Sequence, residues 1–141
     1  MSPAPSDACH VGRLFAAALD ADDWAGAEAL LADECVYAFR GGEMRGAAEI
    51  VGSYRKIGEW VARSFDAVRY ESRVAPLEDV RVEIAFRDLI DHGEHHLDFR
   101  CKQRLRVDAE GRVVHIEHID IEGEPEKAAR FNAACGVTKP T

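Results

Sequence analysis

The sequence predicts an α+β fold in which helices pack on one face of a strongly curved, mainly antiparallel sheet. Amphipathic helical patterns fill most of the first half of the chain, and alternating strand patterns run from residue 68 to residue 120. No repeat or linker divides the 141 residues, a length typical of one compact domain. We therefore expect a single domain over 1–141, with a flexible N-terminus at 1–6 and a C-terminal tail at 136–141.

Four segments carry apolar residues at helical spacing, which gives each of them one apolar face. The spacing predicts helices over about 6–20, 24–31, 46–64 and 125–134. The last begins at a proline, a good first helical residue, and a glycine follows its end. These helices are expected to cover the inner face of the sheet.

The strand patterns predict a short strand at 35–39 and a four-strand meander over 68–120. Turns are expected at His92-Gly93 and at 108–111. If Val107 pairs with Arg112, Ile84, Cys101 and His118 share one row across the sheet. That row would face the helices.

The predicted inner face is apolar except for a few polar residues, as in a small-molecule pocket. Gln103 is the most interior of them, and burying its amide is costly unless it has a partner. We expect ligand contacts from a set of inward-facing residues. They are Phe15, Tyr37, Phe39, Phe86, Phe99, Cys101 and Gln103.

Three titratable residues end the apolar rows and are the candidate catalytic groups: His118, Asp120 and Asp88. An imidazole exchanges protons near neutral pH, so His118 is a candidate base. The Cα of Asp120 should lie roughly 6.6 Å from that of His118, too far for a fixed hydrogen bond but suited to flanking a ligand. Apolar neighbours should raise the pKa of Asp88, which would make it an acid. Alternatively, His118 is a paired core histidine, Asp120 caps a turn and Asp88 lies at a solvent edge.

Net charge and targeting patterns limit the partners. The formal charge of −8 argues against a nucleic acid or an anionic membrane as a partner. The start of the chain lacks a cationic, apolar leader, and no segment approaches a membrane span, so we expect a cytoplasmic protein. The four cysteines are scattered, which favours free thiols.

No cofactor and no metal are expected. His92, His95 and His96 cluster on a predicted hairpin turn, where side chains splay into water and do not form a closed site. The outer sheet face mixes charged residues with Leu89 and Ile119, and we expect a homodimer to form through it.

Two stretches carry a family resemblance: FAAALDADDWAGAEALLADECVYAF near the start and the hairpin strand GRVVHIEHID near the end. They resemble the NTF2-like superfamily, especially its SnoaL-like, polyketide cyclase-like branch, over about Val11 to Phe131. The resemblance implies a cystatin-like or NTF2-like cone around a pocket. Members of the superfamily include isomerases, epoxide hydrolases, dehydratases, polyketide cyclases and non-catalytic domains.

The resemblance also separates the possible activities. Phe15, Phe39 and Gln103 occupy positions where ketosteroid isomerases carry ionisable groups. Phe86 and His118 replace two of the three residues that limonene-epoxide-hydrolase-like enzymes need. The run Glu117-His118-Ile119-Asp120 is similar to the last strand of SnoaL-like cyclases and related dehydratases.

The resemblance thus implies a pocket for an apolar, oxygenated small molecule. The implied activity is proton-transfer chemistry without a cofactor, namely isomerisation, cyclisation or dehydration. The alternative is a non-catalytic ligand-binding domain or a dimeric assembly domain of the same fold.

Overall fold

The structure is a computed structural model that describes residues 5–140, and the side chains from Asp7 onwards. Most of the predicted flexible N-terminus, 1–4, lies outside the described residues. Residues 5 and 6 begin the first helix. Within residues 5–140, no helix combines the length and the apolar character that crossing a bilayer requires.

The described chain forms four helices and one six-stranded sheet. The elements are α1 (Pro5–Asp20), α2 (Trp24–Ala29), β1 (Leu31–Phe39), β2 (Gly42–Arg45), α3 (Ala47–Ser64), β3 (Ala67–Pro76), β4 (Arg81–His92), β5 (His95–Val107), β6 (Val113–Asp120) and α4 (Glu124–Cys135). The strand order is β2-β1-β6-β5-β4-β3, and only β1 and β6 run parallel. The predicted α+β fold is confirmed.

Strand β2 is the one element that the sequence patterns did not predict. It pairs with β1 across Arg40 and Gly41, from Phe39 opposite Gly42 to Val36 opposite Arg45. Gly41 has a φ of 103°, which allows a tight reversal there. The strand is four residues long and mostly polar, so it lacks the alternation that identifies longer strands.

Most of the core lies between α1 and the inner face of the sheet. Phe15, Leu105 and Ile116 are fully buried there, as the alternating pattern of the strands predicts. A second apolar cluster fills the other end, where α3 ends and α4 packs on β5; it contains Trp60, Val61, Phe65, Ile90, Leu97 and Phe131.

The observed pairing differs from the predicted register by two residues on both sides of β5. His92 pairs with His95, so the turn is Gly93-Glu94, and Gly93 takes a positive φ of 59°. On the other side, a longer turn and an irregularity next to Val107 place Gln103 opposite His118. Side chains alternate with a period of two, so the shift keeps every predicted inner residue on the inner face.

The outer face of the sheet carries paired charges. Arg87 donates to both carboxylate oxygens of Asp98 at 3.0 and 2.9 Å and approaches Glu71 at 3.3 Å. Arg104 pairs with Glu83 at 3.1 Å. Solvent-exposed pairs of this kind contribute little to stability. The predicted homodimer through this face stays a prediction.

The close approach of α1 to the sheet depends on Gly12. A methyl group at Gly12 would lie 2.9 Å from Cγ2 of Val82 and 3.3 Å from Cγ1 of Val74. Gly12→Ala should therefore lower the free energy of unfolding by about 1 to 2 kcal/mol, because valine side chains cannot easily rotate away. Urea denaturation measures the change.

Gly52 in α3 is the matched control, because a methyl group there meets no atom within 4 Å. Gly52→Ala should raise the free energy of unfolding by roughly 0.5 to 1 kcal/mol through helix propensity alone. Equal effects of the two substitutions would contradict the tight contact at Gly12.

Candidate functional site

A cavity of about 620 Å³ opens between the helices and the inner face of the sheet. This volume is typical of small-molecule sites. Among the residues that line it are eight of the predicted ones: Tyr37, Phe39, Phe86, Asp88, Cys101, Gln103, His118 and Asp120. The inward orientation predicted for these residues is therefore confirmed, while their roles remain predictions.

Two predicted ligand contacts do not line the cavity. Phe15 is fully buried and packs edge-on against the ring of Tyr54, with ring centroids 6.1 Å apart. Phe99 packs against the second apolar cluster. Both lie on the predicted inner face, but neighbouring side chains separate them from the cavity, so they support its walls.

The buried amide of Gln103 joins three side chains around the cavity. Gln103 is 3% exposed. Its Oε1 accepts a hydrogen bond of 2.7 Å from the hydroxyl of Tyr54. Its Nε2 donates to the hydroxyl of Tyr37 at 3.3 Å and lies 3.3 Å from Nδ1 of His118. The sequence predicted that this amide needs partners, and the structure supplies them from three different elements.

His118 and Asp120 interact directly, which corrects the expectation that they lie too far apart. Nε2 of His118 is 3.0 Å from Oδ1 of Asp120. The expectation used the spacing of the Cα atoms along β6, whereas side chains on one face lean along the strand and can meet. The pair forms the end of the polar group that begins at Gln103.

The rings of two tyrosines complete this end of the cavity. Tyr37 and Tyr54 meet edge-on with centroids 5.9 Å apart. Burial raises the pKa of both hydroxyls above the ordinary value, so both keep their protons at neutral pH. Sequence analysis missed Tyr54 as a site residue, because its helical spacing is that of an ordinary core aromatic.

The opposite end of the cavity is acidic. Burial, together with the nearby charge of Asp20, raises the pKa of Asp88 to about 6. Tyr70 pairs with Asp88 across the β3–β4 ladder, and burial raises its pKa to about 12. Asp20 accepts a hydrogen bond of 2.6 Å from Ser72. The prediction of a raised pKa for Asp88 is confirmed, whereas Asp20 was missed because it reads as a helix end.

Cys101 lies between the two polar ends. It occupies one row with Phe86 and Asp120. Burial, followed by the charges of Asp88 and Asp120, raises the pKa of its thiol to about 12. Since a thiol in this state is not a nucleophile at neutral pH, Cys101 acts as part of the wall. Within residues 5–140, no three His, Cys, Asp or Glu side chains are grouped as a metal site requires.

Helices packed on a curved sheet around a cavity with polar ends form a fold that is also found in a solved structure described as an NTF2-like protein, with a TM-score of 0.57. The family model of the SnoaL-like domain matches residues 11–116. The chain belongs to this family.

Solved structures show the same fold at low sequence identity. Bal32a, from a soil-derived mobile gene cassette, superposes with a TM-score of 0.72 at 18% identity, over 89% of this chain and 96% of Bal32a. An LEH-like epoxide hydrolase from Mycobacterium tuberculosis gives 0.65 at 21% identity, over 92% and 94% of the two chains. A proposed polyketide cyclase from Pseudomonas putida gives 0.64 at 13%, over 85% and 96%. No curated protein sequence matches the chain.

The raised pKa of Asp88 makes stability depend on pH. Between about pH 4 and pH 6 the folded state holds this proton more tightly than the unfolded chain, so the free energy of unfolding should fall as the pH rises through this range. Asp88→Asn removes the buried charge. The variant should be more stable than the wild type by on the order of 1 to 3 kcal/mol at roughly pH 7.5, and equally stable at roughly pH 4.

Urea denaturation at the two pH values measures this difference. Part of the pH dependence should persist in the variant, because burial also raises the pKa of Asp20. A variant that is less stable than the wild type at roughly pH 7.5 would mean that the charged Asp88 has stabilising partners.

Proposed function

We propose that the protein catalyses proton transfer, without a cofactor, on an apolar small molecule that carries an oxygen function. The reactions in this class are isomerisation, cyclisation and dehydration. One observation carries the proposal. One end of an apolar cavity holds a tyrosine hydroxyl and a carboxylate that is paired with a histidine. The other end holds a carboxyl group whose pKa is about 6.

Asp120 is the proposed base. One of its oxygens contacts Nε2 of His118 at 3.0 Å, and its side chain borders the cavity. The imidazole stabilises the carboxylate and holds its orientation, which a base needs if it is to reach a particular hydrogen of the substrate. Both ring nitrogens of His118 have partners, Gln103 and Asp120. These contacts favour a shared role, in which His118 acts through Asp120.

Tyr37 is the proposed donor to the substrate oxygen. Removing a proton next to a carbonyl places negative charge on that oxygen, and a hydrogen-bond donor fixed at this point lowers the barrier. The half-buried ring of Tyr37 packs against the rings of Tyr54 and His118. Its raised pKa keeps the proton on the hydroxyl, so it donates rather than ionises.

Asp88 is the proposed acid. With a pKa of about 6 its carboxyl can gain and lose a proton close to neutral pH, as a general acid must. It lies on β4, whereas Asp120 lies on β6, so the two carboxyls meet different parts of a ligand. Apolar residues such as Phe86 and Ile57 line the space between the polar ends and favour an apolar molecule.

The fold supports this class of reaction without choosing among its members. Solved structures of this fold include one described as an LEH-like epoxide hydrolase and one described as a proposed polyketide cyclase. Both descriptions concern small molecules with oxygen functions. The replacement of residues that related isomerases and epoxide hydrolases require favours different chemistry, built on the His118–Asp120 pair.

Hydrogen–deuterium exchange of apolar ketones tests the proposal without knowledge of the natural substrate. The protein in D2O should incorporate deuterium next to the carbonyl of 2-tetralone or 2-acetylnaphthalene faster than buffer alone, as measured by mass spectrometry. Asp120→Asn should reduce the rate by at least roughly 100-fold, since it removes the base.

Glu117→Gln is the matched control, because Glu117 lies on the same strand as Asp120 but on the outer face of the sheet, opposite Arg104. It should leave the exchange rate unchanged. Tight ketone binding without exchange, in the wild type as well as in Asp120→Asn, would instead identify a non-catalytic binding domain.

A further inference from the structure

We propose that Gln103 is a positioning residue that fixes the direction of the hydrogen bonds at this end of the cavity, so that Tyr37 must donate its proton to the ligand. The site would then take ligands that present an acceptor oxygen of the carbonyl type. The inference rests on the proposed function, whose substrate class it narrows, but it concerns binding and is tested without turnover.

The buried amide has one end that accepts and one end that donates. Its oxygen accepts from Tyr54 at 2.7 Å. Its nitrogen carries two protons, which match the two remaining neighbours, the hydroxyl of Tyr37 and Nδ1 of His118, each at 3.3 Å. The oxygen and both N–H groups of the amide therefore each have a partner. At 3% exposure, water cannot replace a lost partner.

Asp120 prevents the reverse orientation of the amide. If the amide turned over, its oxygen would face His118, and Nδ1 would have to carry the ring proton. A neutral imidazole has one such proton, so Nε2 would then present a lone pair to the carboxylate of Asp120 at 3.0 Å. While the ring is neutral, repulsion between these two acceptors disfavours that arrangement. The carboxylate of Asp120 fixes the ring proton on Nε2, and Nδ1 then accepts a hydrogen bond from the nitrogen of the amide.

Tyr37 is left with a proton that Gln103 does not use. Its oxygen accepts from Nε2 of Gln103, and within residues 5–140 no side chain or carbonyl accepts the hydroxyl proton in return. Tyr54 differs, because its proton is bound to Gln103. Both tyrosines border the cavity, but only Tyr37 has a proton that Gln103 leaves free, so a ligand in the cavity can supply the acceptor.

Infrared spectroscopy of a bound ketone reports this hydrogen bond directly. We use 2-acetylnaphthalene at roughly pH 8, where Asp88 is ionised and cannot donate. In the wild type the carbonyl stretch should shift to lower wavenumber than in hexane. Tyr37→Phe should abolish the shift and weaken binding roughly fivefold to tenfold, the usual effect of losing one hydrogen bond.

Tyr70→Phe is the matched control for Tyr37→Phe. It removes a hydroxyl from the same cavity but from the acidic end, away from Gln103. The carbonyl shift should persist in this variant. A shift that persists in Tyr37→Phe, or a wild type that does not bind the ketone, overturns the assignment of Tyr37 as donor.

Gln103→Glu tests the positioning role, because it keeps the shape of the side chain and removes the donating end. A carboxylate has no N–H to donate, so it accepts from both tyrosines. The proton of Tyr37 then turns away from the ligand, and the carbonyl shift should disappear although Tyr37 is still present. A retained shift overturns the role of Gln103. Thermal unfolding establishes that the variant is folded.

A second measurement needs no variant. Nitrogen-15 NMR of the wild type should show the proton of His118 on Nε2, with Nδ1 unprotonated, since the amide orientation requires this tautomer. The opposite tautomer overturns the inference. If the carbonyl shift is present while no deuterium exchange occurs, the inference stands and only the proposed catalysis fails.

Discussion

The structure of the site depends on one buried amide. Gln103 is bonded to Tyr54 on α3, to Tyr37 on β1 and to His118 on β6, and it lies on β5 itself. Leaving such a group unpaired would cost more than an exposed hydrogen bond contributes, because no water reaches it. The amide therefore ties a helix and three strands to one arrangement, and the polar groups around it cannot be displaced independently.

The same dependence explains why the cavity has two ends of different character. Around Gln103 every polar group has a partner, and the result is a rigid set of donors and acceptors. At the other end, burial of Asp88 beside Asp20 is relieved by holding a proton more tightly. One end is ordered by hydrogen bonds and the other by protonation, and apolar side chains such as Phe86 line the cavity with them.

The sequence predicted which face of each strand is buried better than it predicted which residues pair across neighbouring strands. The alternation of Leu97, Cys101 and Gln103 with charged residues settled which side of β5 is buried, because burial is what the pattern reports. The predicted register was wrong. The observed register is set by the turn at Gly93 and by the irregularity at Val107. The lengths of such turns depend on backbone angles that residue types specify only weakly. A short polar strand such as β2 leaves no pattern at all.

The site was predictable to the extent that it lies on the strands. His118, Asp120 and Asp88 interrupt apolar rows and so stand out, whereas Tyr54 sits in a helical stripe where a tyrosine is an ordinary core residue. Phe15 and Phe99 were placed on the correct face but behind other side chains, which depends on three-dimensional packing. The hydrogen bond between His118 and Asp120 likewise required side-chain conformations that Cα spacing does not contain.

The pairing of β5 with its neighbours gives related sequences a way to diverge. A longer or shorter hairpin connection can shift the partner strand by two residues. Each polar group then moves by about 7 Å along the inner face of the sheet without turning to solvent. A slip by one residue would expose Gln103 and turn the neighbouring Lys102 and Arg104 towards the core. Changes of turn length that shift a strand by two residues keep the same side chains facing the cavity. They can thus move the reactive groups along a bound molecule while the fold stays intact.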